Sequence, residues 1–268
     1  MKTAYKSLAQ RLIGMSCSLL PLPLTAQHLS LPDGIEGSTT VFDLKHKQWH
    51  YTDERDALHE SLPASTFKIL HSCIALEEGA VADERQVLKW DGTVNKFLGE
   101  PFAAWNADTD MEQAYRNSTI WFYAEMARRV GRPVYRRYFK ASSYGNGDLR
   151  ETGTDFWNYG TFGVTPVGQI NFLRKLYSRQ LPFSERTYAI VQRIMRTEHD
   201  GGVFYEKTGW TRQDGKDIGW YVGFVEQKAN VYFFATRLTK KALTAHPGFG
   251  ALRKSVTIAV LKKLAGEK

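Results

Sequence analysis

The sequence predicts an α+β fold: a central antiparallel sheet flanked by helices and joined to a helical lobe. Three observations predict it. Residues 38–52 and those after Gly201-Gly202 are rich in β-branched and aromatic side chains and are broken by short polar loops, as hairpin strands are. Between them, residues 111–200 carry apolar side chains mostly at helical spacing. The chain then closes on an amphipathic stretch, residues 250–264.

Taken in order, Ser38-Thr39-Thr40-Val41-Phe42-Asp43-Leu44 and Trp49-His50-Tyr51-Thr52 read as a β-hairpin around a polar turn at 45–48. Pro63 presets a turn, and Phe67, Ile69, Leu70 and Ile74 suit a buried helix that starts near Ser65 and ends near Gly79. Asp91-Gly92 and Gly99-Glu100-Pro101 mark residues 80–110 as turns and loops. Helices are predicted at 111–117, 119–130, 133–141, 167–177 and 184–196, with Gly131-Arg132-Pro133 separating the second from the third. Strands follow at 203–210, 218–226 and 231–238, joined by loops at 211–217 and 227–230. The simplest assembly pairs the first hairpin with these strands in a sheet lobe, residues 27–79 and 201–268. Residues 80–200 are left as the helical lobe, and the cleft between the two is the natural place for a site.

The chain has 268 residues, 43% of them apolar and 13% aromatic, enough for a substantial core. Residues 1–26 carry Lys2, Lys6 and Arg11, then an apolar run from Leu12 to Leu24 broken by Pro21 and Pro23. That is the layout of a secretory signal peptide, too short and too broken for a membrane span, with Ala26 as the candidate cleavage point. Leu24 is larger than the small residue such a site prefers, and Gly14-Met15-Ser16 before Cys17 matches a lipoprotein box poorly. Removing the leader takes the formal charge from +8 to +5 and leaves Cys73 as the remaining cysteine. No internal disulfide is then available, and Cys73 reads as a small buried hydrophobe.

Ser65 and Lys68 stand three apart, so on a helix the hydroxyl and the amine share a face. A serine in the first turn also lies among unpaired backbone N–H groups, which can stabilise an oxyanion beside it. Apolar neighbours disfavour the charged lysine and make the neutral amine a plausible base. Taken alone, the same residues describe an N-cap serine and a solvated lysine. Further short patterns change the balance: Ser118-Thr119-Ile120 at a helix junction, Tyr144-Gly145-Asn146 in a turn, Phe156-Trp157, and Lys207-Thr208-Gly209 on a strand followed by Trp210. Each has a structural reading of its own, but their joint order and spacing form one signal.

With Pro63-Ala64-Ser65-Thr66-Phe67-Lys68, Asn117-Ser118-Thr119-Ile120-Trp121 and Gly219-Trp220-Tyr221-Val222-Gly223, the chain resembles the class D (OXA-type) serine β-lactamases from Phe42 to the last helix. Ile120 stands where that family usually has valine. The resemblance implies the serine β-lactamase/transpeptidase-like fold and hydrolysis of penicillin-type lactams through an acyl-enzyme on Ser65, giving antibiotic resistance. It implies no metal and no cofactor beyond CO2 or bicarbonate, which carboxylates Lys68 into the general base. The indole N–H of Trp157 would hold that carbamate, and Ile120, Phe67 and Trp157 would keep the pocket dry. Ser118 would relay a proton to the leaving nitrogen. The backbone amides of Ser65 and Trp210 would form the oxyanion hole. Lys207, Thr208 and Arg253 would hold the substrate carboxylate beside Gly209, while Tyr144 and Asn146 would shape the cleft. Export to the periplasm as a monomer or homodimer is the matching expectation.

Rival chemistry is thinner. His46 and His50 flank a predicted hairpin with no third ligand at metal spacing. Arg128, Arg129, Arg132, Arg136, Arg137 and Lys140 read as a solvated face, so nucleic acid is not an expected partner. A β-lactam sensor domain shares the motif set but hangs from membrane spans, and no membrane span is expected here. A cell-wall transpeptidase typically has asparagine where this chain has Ile120. Either alternative would be acylated but barely turn over.

Overall fold

The computed structural model describes residues 31–199, 202–227 and 229–266. The proposed signal peptide, Cys17 and Gly201 lie outside the described residues. The chain runs β1 (Ile35–Asp43), β2 (Gln48–Tyr51), α1 (Glu54–Ala57), a 3₁₀ turn (Ala64–Phe67) and α2 (Lys68–Glu77). A small hairpin, β3 (Lys96–Phe97) and β4 (Glu100–Pro101), leads to α3 (Met111–Asn117), α4 (Ile120–Val130), α5 (Arg132–Ser142), α6 (Pro166–Tyr177) and α7 (Glu185–Met195). The chain ends with β5 (Arg196–His199), β6 (Gly202–Gln213), β7 (Lys216–Gln227), β8 (Asn230–Lys241) and α8 (Phe249–Leu264).

Six strands form one antiparallel sheet in the order β2-β1-β8-β7-β6-β5, so the N-terminal hairpin joins the C-terminal strands through β1 and β8. Alternation along the strands divides the core in two. Phe42, Trp220, Val222, Phe224 and Phe233 face the helices that include α2 and α6, while Val41, Tyr221, Val225 and Phe234 face Val260 and Leu261 of α8. Helix α6 therefore packs on the sheet, although its residues fall in the segment read as the helical lobe. Cys73 is fully buried on α2, and burial pushes its thiol well above the ordinary thiol range.

Beyond the short α1 and the β3–β4 hairpin, which the sequence reading did not include, the structure departs from it at three places. The helix begins at Lys68, not Ser65, because Ala64 takes a left-handed φ of 51° and donates its N–H to the Trp157 carbonyl at 3.0 Å. The helix read through Arg196 ends at Met195, and Arg196–His199 form a sixth strand paired with Gly202–Tyr205. The predicted loop at 211–217 contracts to Asp214-Gly215, whose positive φ angles of 50° and 71° fit a two-residue hairpin turn.

Candidate active site

The nucleophile turn is fixed from several directions. Ser61 exchanges backbone hydrogen bonds with Val164 at 3.0 and 2.9 Å, and Ala64 bonds to Trp157. Phe67 anchors the turn in the helical core, its ring centroid within 5.3–6.1 Å of those of Tyr135, Phe139, Tyr144, Phe156, Trp157 and Phe162. Truncating a buried phenylalanine of this kind costs about 3–5 kcal/mol. A buried chain of side chains reinforces the anchor: Tyr144 Oη donates to Gln169 Oε1, Gln169 Nε2 donates to Thr66 Oγ1, and Thr66 Oγ1 donates to the Pro63 carbonyl at 2.6 Å.

Ser65 is nearly buried, and its Oγ lies 2.9 Å from Lys68 Nζ. Lys68 is wholly buried, its amine 5.0 Å from the Tyr123 ring and 5.5 Å from the Trp157 ring. Burial first, and the Lys207 charge second, push the Lys68 pKa well below the ordinary lysine range; Asp155 opposes them weakly. The neutral amine is therefore favoured, and it can accept the Ser65 proton. The Ser65 side chain caps nothing, so the N-cap reading of this serine fails on geometry.

Strand β6 brings the second pair. Lys207 Nζ donates to Ser118 Oγ at 2.5 Å, and Ser118 sits in a left-handed conformation (φ 57°) that ends α3. Burial, then the Arg253 and Lys254 charges, lower the Lys207 pKa to about 7. Gly209 lets β6 lie against the nucleophile turn: a Cβ there would stand 3.1 Å from Ala64 Cβ and 3.2 Å from the Ser65 nitrogen. Trp210, the next residue, packs edge-on to Phe97 and Phe249. Among the described residues no protein group accepts the Ser65 N–H, which leaves it free for an oxyanion.

The remaining predicted residues are placed less uniformly. Arg253 reaches the end of β6, where Nη1 donates to the Gly209 carbonyl and Nε donates to the Gly250 carbonyl at 2.9 Å. Burial lowers its pKa to about 10. Thr208 is half-buried and gives its carbonyl to Lys207 Nζ at 3.1 Å. Ile120 is half-buried at the start of α4. Tyr144 lies in the core behind Phe67, and Asn146 ties its loop to the Thr161 carbonyl at 2.9 Å and to Glu60. Tyr144 thus supports the turn from the core side, while Asn146 is exposed on its loop.

One neighbour escaped the sequence reading. His71 is fully buried one helical turn after Lys68, edge-on to Trp157 with ring centroids 5.0 Å apart, and its Nε2 is 2.7 Å from Tyr135 Oη. Burial pushes its pKa well below the ordinary imidazole range. The spacing of three from Lys68 was the available signal.

The basic run of the sequence is largely tied down. Arg128 and Arg129 pair with Glu125, Arg137 pairs with Glu78, and Arg132 donates to the Leu149 and Gly153 carbonyls. His46 pairs with Asp43 at 2.7 Å, and among the described residues no group of three or more His, Cys, Asp or Glu could hold a metal ion. None of the described helices is long and apolar enough to cross a membrane.

A serine beside a buried lysine of lowered pKa, a second bonded serine–lysine pair, and a Ser65 amide without a protein acceptor among the described residues make a serine acyl-transfer site of the penicillin-recognising type. Residues 40–262 match the family model described as the penicillin-binding protein transpeptidase domain. The chain is 38% identical to β-lactamase OXA-48 of Klebsiella pneumoniae over 221 residues, which is 82% of this chain and 80% of that protein. Among solved structures it resembles the class D β-lactamase YbXI from Nostoc, with a TM-score of 0.79 and 39% identity over 87% of this chain and 95% of that one. It also resembles the class D β-lactamase of Sebaldella termitidis, with a TM-score of 0.81 and 38% identity over 86% and 92%. The chain belongs to the class D serine β-lactamase family.

Proposed function

We propose that this chain hydrolyses penicillin-type β-lactams through an acyl-enzyme on Ser65, with Lys68 carboxylated by CO2 as the general base. The observation that carries the reading is a pair of buried groups. The Lys68 amine is wholly enclosed, its pKa pushed well below the ordinary lysine range by burial, and the neighbouring buried Trp157 Nε1–H has no acceptor among the described residues. An unmade hydrogen bond at such a donor costs about 1–3 kcal/mol, so the pocket fits an added acceptor at Lys68 Nζ. Carboxylation turns the amine into an anionic carbamate, which supplies the base; it requires the neutral form that burial favours.

On this reading Ser65 Oγ gives up its proton and attacks the lactam carbonyl, and the Ser65 and Trp210 amides receive the oxyanion. The lactam C–N bond breaks as Ser118, backed by Lys207, hands a proton to the departing nitrogen. Lys207, Thr208 and the Arg253 guanidinium hold the substrate carboxylate. Water then cleaves the ester and frees Ser65. Such turnover would protect a host from penicillins, and residues 1–26 would export the enzyme to the periplasm, where it meets them.

Trp157→Phe is the discriminating variant. It keeps the pocket apolar but removes the Trp157 Nε1–H. Acylation by benzylpenicillin is expected to survive while deacylation slows by about two to three orders of magnitude. Intact-mass spectra should then show a persistent penicilloyl adduct on the variant and none on the wild type. Wild-type enzyme should also turn over faster with added bicarbonate. A wild-type burst that stops after one equivalent would instead move the protein to the sensor or transpeptidase class.

The low Lys207 pKa sets the alkaline side of the pH profile. As pH rises through about 7 the ammonium is lost. The grip on the substrate carboxylate weakens with it, so kcat/KM should fall over that range. Lys207→Arg stays charged and should flatten the fall, which rate measurements between about pH 5.5 and 9 would read.

A further inference from the structure

The chain just ahead of the nucleophile is held by a side chain with no part in the acyl-transfer chemistry, that of Gln213. The N–H groups of Ser61, Ala64 and Thr66 all go to backbone carbonyls, at 3.0, 3.0 and 3.2 Å, and Pro63 has none to give. The Leu62 N–H instead goes to a side chain, Gln213 Oε1, at 3.0 Å. The Leu62 carbonyl is held by a side chain too, accepting from Trp220 Nε1 at 2.9 Å. Both polar groups of the Leu62 residue are thus gripped by the β6–β7 hairpin, three residues ahead of Ser65. Leu62 is buried at 2% exposure, so its amide has little access to a replacement partner in water.

Gln213 is the last residue of β6, beside the Asp214-Gly215 turn. That turn is held on its far side, where the Gly215 carbonyl accepts from Ala242 N at 2.8 Å and Lys216 pairs with Glu36 at 2.7 Å. Strand β6 therefore meets the nucleophile turn at two points, the close approach of Gly209 beneath Ser65 and the Gln213 bond to Leu62. We propose that Gln213 is a positioning residue: its Oε1 fixes the Leu62 peptide so that the Ser65 hydroxyl and amide are presented together, and the hairpin tip thereby sets the acylation rate. The proposal rests on the reading of Ser65 as the nucleophile.

The test compares Gln213→Met, which keeps length but loses the acceptor, with Gln213→Glu, which keeps an acceptor oxygen. Single-turnover acylation by a chromogenic cephalosporin is expected to slow about tenfold in Gln213→Met, the equivalent of one ordinary hydrogen bond, and to stay within about threefold of wild type in Gln213→Glu. Stranding the buried Leu62 N–H should lower the melting temperature of Gln213→Met by roughly 2–10 °C, while Gln213→Glu should stay within about 2 °C of wild type. Amide hydrogen exchange at Leu62 should accelerate in Gln213→Met alone, and it reports on the tether whether or not Ser65 is acylated. Wild-type acylation by Gln213→Met would overturn the proposal. So would an equal loss in both variants, which would mean that Gln213 acts by contact with substrate. Failure of the wild type to form any Ser65 adduct would instead remove the functional reading, with the Leu62 exchange result still standing.

Discussion

Replacing Lys68 by alanine should lower benzylpenicillin turnover by about four orders of magnitude and slow both acylation and deacylation. The expectation follows from enclosure. No other base lies within hydrogen-bond distance of Ser65 Oγ among the described residues, and the nearest imidazole, His71, is already engaged by Tyr135. Lys68→Met separates chemistry from stability. It fills the same space without an amine whose burial is unfavourable, so its melting temperature should match or exceed that of the wild type while activity is lost. Stopped-flow acylation and differential scanning calorimetry on both variants would check this. Turnover of Lys68→Ala at the wild-type rate would show that the base has been misassigned.

Ser65→Ala should abolish the covalent intermediate altogether. Its kcat/KM should fall by about four orders of magnitude or more, and intact-mass spectra should show no penicilloyl addition after prolonged incubation. Lys207, Thr208 and Arg253 are anchored independently of the Ser65 side chain, through Ser118 and the backbone of β6 and α8. Binding of intact benzylpenicillin to this variant should therefore persist and be measurable by calorimetric titration. A covalent adduct on Ser65→Ala would place the nucleophile elsewhere.

Much of the fold was legible because the strands bury alternating faces. Trp220, Val222 and Phe224 against Tyr221 and Val225 announce a two-sided strand, and the structure sends them to opposite cores. Arg196-Thr197-Glu198-His199 carries no such pattern; it becomes a strand only because β6 offers it an edge. The Asp214-Gly215 turn was written in the sequence, since that dipeptide favours positive φ at both positions, yet the reading placed a longer loop there, at 211–217. The start of α2 was not legible. It depends on the Trp157 carbonyl, more than ninety residues away, capturing the Ala64 amide and forcing a 3₁₀ turn.

The site divides in the same way. Ser65, Lys68, Ser118 and Lys207 were marked by residue type and spacing, and the fold brings them together as two bonded pairs. Tyr144 carried a motif but not its location, because a tyrosine in a turn can point outward or, as here, into the core beneath Phe67. Gln213 had no local signal at all. Its meaning comes from a contact with Leu62, 151 positions away in the chain.

Cys73 gives the molecule a built-in clock for the opening of its core. In a chain without residues 1–26 it is the only thiol, and it is fully buried on α2, the helix that carries Lys68. Alkylating reagents can reach it only when that helix separates from its neighbours, so the labelling rate counts openings of the active-site scaffold. Acylation of Ser65 that braces or loosens the scaffold would change that rate directly, with no spectroscopic tag added to the protein.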